Sequence, residues 1–168
     1  MRVLSYTEMF EFEAIDTYYE LASVIANPEY TLTGPIVIPD NCIIGGETYT
    51  VTQVSDEGFK NCTGITSLSF PDTITLIGSS AFQGCSALNN LALPSNVYAG
   101  LTINDSAFAQ CTSLTSVFIP ACVIDMNDNT SSVFWGCTSL VSFEVDDDSE
   151  YYSDFEGCLY DYYGTTLI

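Results

Sequence analysis

One phrase recurs along this chain, and its period constrains the fold more than any other feature. It reads Phe59-Lys-Asn-Cys62-Thr-Gly-Ile65-Thr-Ser-Leu68-Ser-Phe70-Pro71 and returns as Phe82-Gln-Gly-Cys85-Ser-Ala-Leu88-Asn-Asn-Leu91-Ala-Leu93-Pro94. A third copy is Phe108-Ala-Gln-Cys111-Thr-Ser-Leu114-Thr-Ser-Val117-Phe-Ile119-Pro120. The fourth is Phe134-Trp-Gly-Cys137-Thr-Ser-Leu140-Val-Ser-Phe143-Glu-Val145, with Asp146 where the proline stood. The leading phenylalanines lie 23, 26 and 26 residues apart, and Ile36-Val-Ile38-Pro39 reads as a degenerate earlier rung. A period of about 20–50 residues marks a repeat architecture, in which one unit cannot bury its apolar face alone and stacked units can.

Each part of the phrase has a physical reading. The pattern L-x-x-L-x-L is the inward-pointing set of a leucine-rich repeat strand. The residue between its last two apolar positions points outward by strand alternation. Proline closes each strand because it has no N–H to continue a ladder. Phe and Cys fill the far side of the coil, and neighbouring coils stack at roughly 4.8 Å between strands. The return paths are Val54 to Phe59, Ile77 to Phe82 and Ile103 to Phe108, with Gly78 marking a turn. The two longer coils carry their extra residues near Tyr98-Ala-Gly100 and near Asp125 to Thr130, where insertions map to loops on one face. The expected fold is a repeat solenoid: a right-handed leucine-rich repeat coil, mostly β, with short helical or 3-10 turns on the return face.

The ends read as caps that keep the core from water. Residues 1–35 form an N-terminal cap, 36–146 the coils, and 147–168 a C-terminal cap. Phe10-Glu-Phe12-Glu-Ala14 alternates apolar and acidic residues as a half-buried strand does, with Tyr18-Tyr19-Glu-Leu21 as its hairpin partner. At the other end, Cys158-Leu-Tyr160 and Thr166-Leu-Ile168 flank a turn at Asp161 to Gly164. The chain stops inside that apolar strand, as expected of a piece of a longer protein or of an edge that pairs with something else.

Charge narrows the function. Two residues are Lys or Arg, 22 are Asp or Glu, none is His, and the net charge is −20. A 47% hydrophobic content excludes intrinsic disorder despite that charge. Without His there is no Ser-His-Asp or Cys-His catalysis and no His-ligated zinc. With only Arg2 and Lys60 as cations, binding to nucleic acid or to anionic lipid is excluded on electrostatic grounds. No stretch approaches the roughly 18 uninterrupted apolar residues of a spanning helix, so no membrane insertion is expected. No signal peptide is visible: acids appear before any apolar run.

The phrase Ile77-Gly-Ser-Ser-Ala-Phe82-Gln-Gly-Cys85-Ser-Ala-Leu88, followed by Cys111-Thr-Ser-Leu114-Thr-Ser-Val117-Phe-Ile119-Pro120, resembles the BspA-like leucine-rich repeats of bacterial and protist surface proteins. Gly34-Pro-Ile-Val-Ile-Pro39 with Gly46 to Thr52 is similar to that family's lead-in to its first coil. Tyr151 to Tyr160 with Gly164 to Ile168 is similar to the segment that ends a run of its repeats. There are departures: Gly58 stands where Ala usually precedes Phe, and Ser132-Val133 precedes Phe134. The resemblance implies an extracellular or cell-surface location and a role in adhesion.

The candidate binding surface is the outward face of the strands. Across the coils one row is Ser67, Asn90, Ser116 and Ser142, and the next is Ser69, Ala92, Phe118 and Glu144. Phe118 is the anomaly, a large apolar side chain aimed outward among small polar ones. Tyr151, Tyr152, Tyr160, Tyr162 and Tyr163 either pack as a cap with hydroxyls in water or form a second adhesive patch. Cys62, Cys85, Cys111 and Cys137 share one slot in four coils and read as a ladder of small buried thiols. Cys42, Cys122 and Cys158 lie outside it, and no C-x-x-C pair favours zinc.

The acidic residues read mainly as solvated charge, with two exceptions that suit calcium. Asp125-x-Asn127-x-Asn129 copies the start of an EF-hand loop without its Gly or its final Glu, and Asp146, Asp147, Asp148 and Glu150 sit where the last strand exits. No other cofactor is expected. Asn61, Asn104 and Asn129 open N-x-S/T sequons, a modification open to a secreted eukaryotic protein. The first functional expectation is therefore a non-enzymatic binding module, whose partner is a host matrix protein, a host cell or a neighbouring cell. The second is a structural block that assembles end to end with itself. The third is a cytosolic scaffold.

Overall fold

The computed structural model describes residues 6–126 and 133–161. After one short helix, α1 (Tyr6–Met9), the described chain runs through strands alone. They are β1 (Phe10–Asp16), β2 (Leu21–Ala26), β3 (Thr33–Val37), β4 (Asn41–Ile44), β5 (Glu47–Val54), β6 (Gly64–Ser69) and β7 (Leu76–Ile77). Then follow β8 (Asn90–Ala92), β9 (Leu101–Ile103), β10 (Ser116–Ile119), β11 (Val123–Asp125), β12 (Ser142–Val145), β13 (Tyr152–Phe155) and β14 (Cys158–Asp161).

These strands wind into a β-solenoid of about five turns. One side carries the strands of the L-x-x-L-x-L phrase: β3, β6 and β8 pair in parallel, and β10 pairs in parallel with β12. The rung at Ile36 therefore belongs to the array, since Ile36 stands opposite Leu68 and Leu68 opposite Leu91. The hydrogen-bonded ladder breaks between β8 and β10, at the coil that carries the extra residues Tyr98-Ala-Gly100.

The return side holds a second sheet that the repeat phrase does not announce. Strands β2, β5, β7, β9 and β11 pair in parallel, so the column Val24, Val54, Ile77 and Ile103 is fully buried. The segment expected as a separate N-terminal cap is built into this sheet. Its β2 is the first parallel strand, β1 lies antiparallel along it, and β3 already begins at Thr33. The expected hairpin forms, but Tyr18 and Tyr19 sit in its turn, because the Asp16 carboxylate accepts both their N–H groups. A second hairpin, β4 to β5, closes through Gly45 and Gly46, at φ 63° and 97°, the left-handed pair that a two-residue turn needs.

The third side consists of turns with single i→i+3 bonds, as from Lys60 N to Glu57 O and from Gln83 N to Ser80 O. They do not run on into helix. Glu57, Ser80 and Ser106, and again Asn61, Gly84, Gln110 and Gly136, take positive φ, and the N–H groups of Glu57, Ser80, Asn61, Gly84 and Gln110 donate to the next coil. Gly78 is required here by close approach: a Cβ would lie 2.6 Å from the Asp56 N of the preceding coil.

Inside, Phe59, Phe82, Phe108 and Phe134 stack in a column, with centroids 5.0, 5.4 and 5.7 Å apart and rings within 19° of parallel. Phe10 and Phe143 meet its two ends edge-on. The repeated cysteine has a defined partner. Cys85, Cys111 and Cys137 each donate a thiol hydrogen bond to the phenylalanine carbonyl one coil earlier, at Phe59, Phe82 and Phe108.

At the C-terminal end the structure shows a hairpin that the sequence reading did not name. Cys158 to Tyr160 pairs antiparallel with β13, through a turn at Glu156 and Gly157 at φ 51° and 80°. The expected partner, Thr166 to Ile168, lies outside the described residues. The β13–β14 hairpin closes the last coil. Gly157 O accepts Phe143 N–H, the Asp154 carboxylate accepts Val145 N–H, and the Tyr152 hydroxyl accepts Met126 N–H.

Candidate binding face

The outward rows form as the alternation requires. Ser67 stands opposite Asn90 and Ser69 opposite Ala92, while Ser116 stands opposite Ser142 and Phe118 opposite Glu144. The break between β8 and β10 divides each row into two hydrogen-bonded halves. Asn90, Ala92, Ser116, Phe118 and Glu144 are exposed, whereas Ser67, Ser69 and Ser142 are half-buried. Ser142 is crowded by the cap turn: a Cβ on Gly157 would lie 3.3 Å from it. Phe118 is 43% exposed, between the buried Val117 and Ile119. It presents an apolar ring beside the Glu144 carboxylate on a surface otherwise made of small side chains.

The rows extend one coil further than the sequence reading took them. Pro35 stands opposite Ser67, and Val37 opposite Ser69. Val37 is 54% exposed, so the second row carries an exposed apolar residue at its start as well as at Phe118. The signal was in the sequence, because Val37 lies between Ile36 and Ile38 as Phe118 lies between Val117 and Ile119.

The other candidates separate. Tyr152 is buried and belongs to the cap, Tyr151 is exposed and Tyr160 half-buried, so the tyrosines do not act as one patch; Tyr162 and Tyr163 lie outside the described residues. The carboxylates at the last strand exit are engaged locally, Asp146 accepting Asp148 N–H. Asp146, Asp147, Asp148 and Glu150 are not brought together: among the described residues, no three Asp, Glu or Cys side chains are grouped to hold a metal ion. Asp125 ends β11, and Asn127 and Asn129 fall outside the described residues. Asn61 is exposed in its turn, and Asn104 is half-buried at the end of β9 with its N–H on Ile77 O.

All seven cysteines are free thiols. Burial pushes the Cys85 thiol up to about 12, helped by the charge of Cys62, and the neighbouring Cys137 thiol together with burial raises Cys111. Such thiols stay protonated and unreactive. The described cation Lys60 donates to Glu57. No helix among the described residues is long and apolar enough to cross a membrane.

Comparison with known proteins decides the family. The profile of the BspA type leucine rich repeat region matches residues 48–160, more than half of the chain, in six copies. The chain belongs to the BspA-type leucine-rich repeat family. A leucine-rich repeat protein from Bacteroides capillosus is 25% identical, with a TM-score of 0.67 over 83% of this chain and 95% of its own. The T. pallidum leucine-rich repeat protein is 22% identical, with a TM-score of 0.57 over 83% and 70%. The pneumococcal vaccine antigen PcpA is 18% identical, with a TM-score of 0.50 over 91% of this chain and 52% of that one. No functionally curated protein matches. The BspA-type repeat fixes which positions face outward, and repeat arrays of this kind bind through such extended surfaces.

Proposed function

We propose that this chain is a non-enzymatic binding module of a surface-exposed repeat protein, which mediates adhesion or protein–protein recognition through its outward strand rows. One observation carries the reading: Phe118, 43% exposed, lies in register beside Glu144 on a rigid parallel pair. An exposed aromatic on a preorganised sheet loses little entropy on binding and supplies the anchor that interfaces concentrate their energy in. The surface location rests on the family and on a fold shared with a protein described as a vaccine antigen. End-to-end self-assembly is the weaker reading, because the three cap hydrogen bonds occupy N–H groups that a following coil would use.

The test is biolayer interferometry of the chain against purified host-matrix proteins and intact neighbouring cells, with Phe118→Ala and Glu144→Lys alongside. For any partner bound, Phe118→Ala is expected to weaken binding at least about tenfold, as loss of a hot-spot aromatic does. Retained affinity in the folded double variant would remove the strand rows as the site.

A further inference from the structure

The N-terminal end of the solenoid holds a groove that shares Val37 with the strand rows and whose other lining residues lie outside them. It has a volume of about 650 Å³ and is lined by Phe10 and Phe12 of β1, Val37 of β3, Ile43 of β4, and Phe70 and Pro71 after β6. Val37 and Ile43 are 54% and 65% exposed, so two aliphatic side chains face water at its lip. Strand β3 pairs only with β6 among the described strands. Pro35 removes one N–H from its other edge, which leaves the Val37 end, beside the groove, as the part of that edge an extended chain can reach.

Charge selects the occupant. Asp40 is the charged residue of the lining and Asp72 follows Pro71 directly, both of them exposed. Lys60, the described cation, is engaged with Glu57 at a separate depression. A second copy is a poor fit, because each copy carries −20 and its described cation, Lys60, is already paired with Glu57. We propose that this groove takes a basic segment of another protein, an extended stretch whose aliphatic or aromatic side chains fill the groove while flanking Lys or Arg meet the acidic rim. The combination of apolar pocket and charged rim is that of extended-peptide sites. The groove shares Val37 with the strand rows but lies at the opposite end of them from Phe118, so the Phe118 anchor and the groove can fail separately.

Fluorescence anisotropy on the full chain tests it, with three labelled peptides. One alternates Lys with Val and Ile, one replaces the Lys by Glu, and one replaces the Val and Ile by Ser. The Lys–Val–Ile peptide is expected to bind, and to bind more weakly as salt rises toward physiological strength. In the double variant Val37→Ser, Ile43→Ser its affinity is expected to fall at least about tenfold, while Phe118→Ala leaves it unchanged. Both substituted residues are exposed, and circular dichroism melting checks that the variant folds. Equal binding of the Glu or the Ser peptide, undiminished binding to the double variant, or no binding of the Lys–Val–Ile peptide would each overturn the proposal.

Discussion

Cys85 shows why a thiol suits its slot. The Phe59 carbonyl already accepts Cys62 N–H within its own coil, and Cys85 Sγ fills its second lone pair from the next coil at 3.3 Å. A serine hydroxyl needs a shorter approach and loses more hydration when buried, whereas sulfur reaches this distance as a small apolar atom with a weak donor. The same burial ties the fold to pH. The Cys85 pKa is raised from 9.0 to about 12, so above pH 9 the unfolded chain sheds a proton that the folded chain keeps. Stability is full below that pH and falls as pH rises toward the folded value, by roughly 1.4 kcal/mol per pH unit from this thiol. Urea unfolding between about pH 8 and 11 is expected to show a shallower loss in Cys85→Ala than in the parent. Identical slopes would remove Cys85 as a cause. The slot itself was legible because Cys recurs three residues after each Phe; the carbonyl partner was not, because it lies one coil away.

At the level of elements, the two sheets differ in how plainly the sequence announces them. The L-x-x-L-x-L phrase carries enough alternation to place β6, β8, β10 and β12. The return strands β7, β9 and β11 span two or three residues each, too few for a periodic signal, and they exist because stacking supplies their hydrogen-bond partners. The β13–β14 hairpin went unannounced because its turn, Glu156-Gly157, pairs one Gly with a Glu in the left-handed region, which composition does not flag. That hairpin supplies hydrogen-bond acceptors to the N–H groups of Phe143, Val145 and Met126. Met126 is 1% exposed, so its N–H depends on the Tyr152 hydroxyl, 2.7 Å away. Tyr152→Phe keeps the ring and deletes that acceptor, and is expected to cost about 1–3 kcal/mol, the penalty of a buried unpaired donor. Faster hydrogen exchange at the Met126 amide, with a lower urea midpoint, is the expected readout; unchanged protection there would show that the hydroxyl does not cap the sheet. Asp154→Ala is expected to act likewise on Val145 N–H.

For the whole molecule, closed edges and charge act in the same direction. The cap hairpin takes up the N–H groups of Phe143, Val145 and Met126, and β1 lies antiparallel along the N-terminal side of the return sheet. Each copy carries −20, so copies repel one another at low salt over a Debye length of about 10 Å at 0.1 M. What these forces leave open is the Val37 end of β3 beside its groove, a surface suited to opposite charge. Light scattering with size-exclusion chromatography is therefore expected to find a monomer at high protein concentration, with calcium and with chelator alike. The calcium arm discriminates because the carboxylates from Asp146 to Glu150 are not grouped around a common point. Growth only with calcium would show that the ion gathers those carboxylates between copies, and would restore end-to-end assembly as the function. Growth at high salt without calcium would instead show that charge alone keeps copies apart. Loss of that growth in Val37→Ser would then locate the contact at the β3 edge.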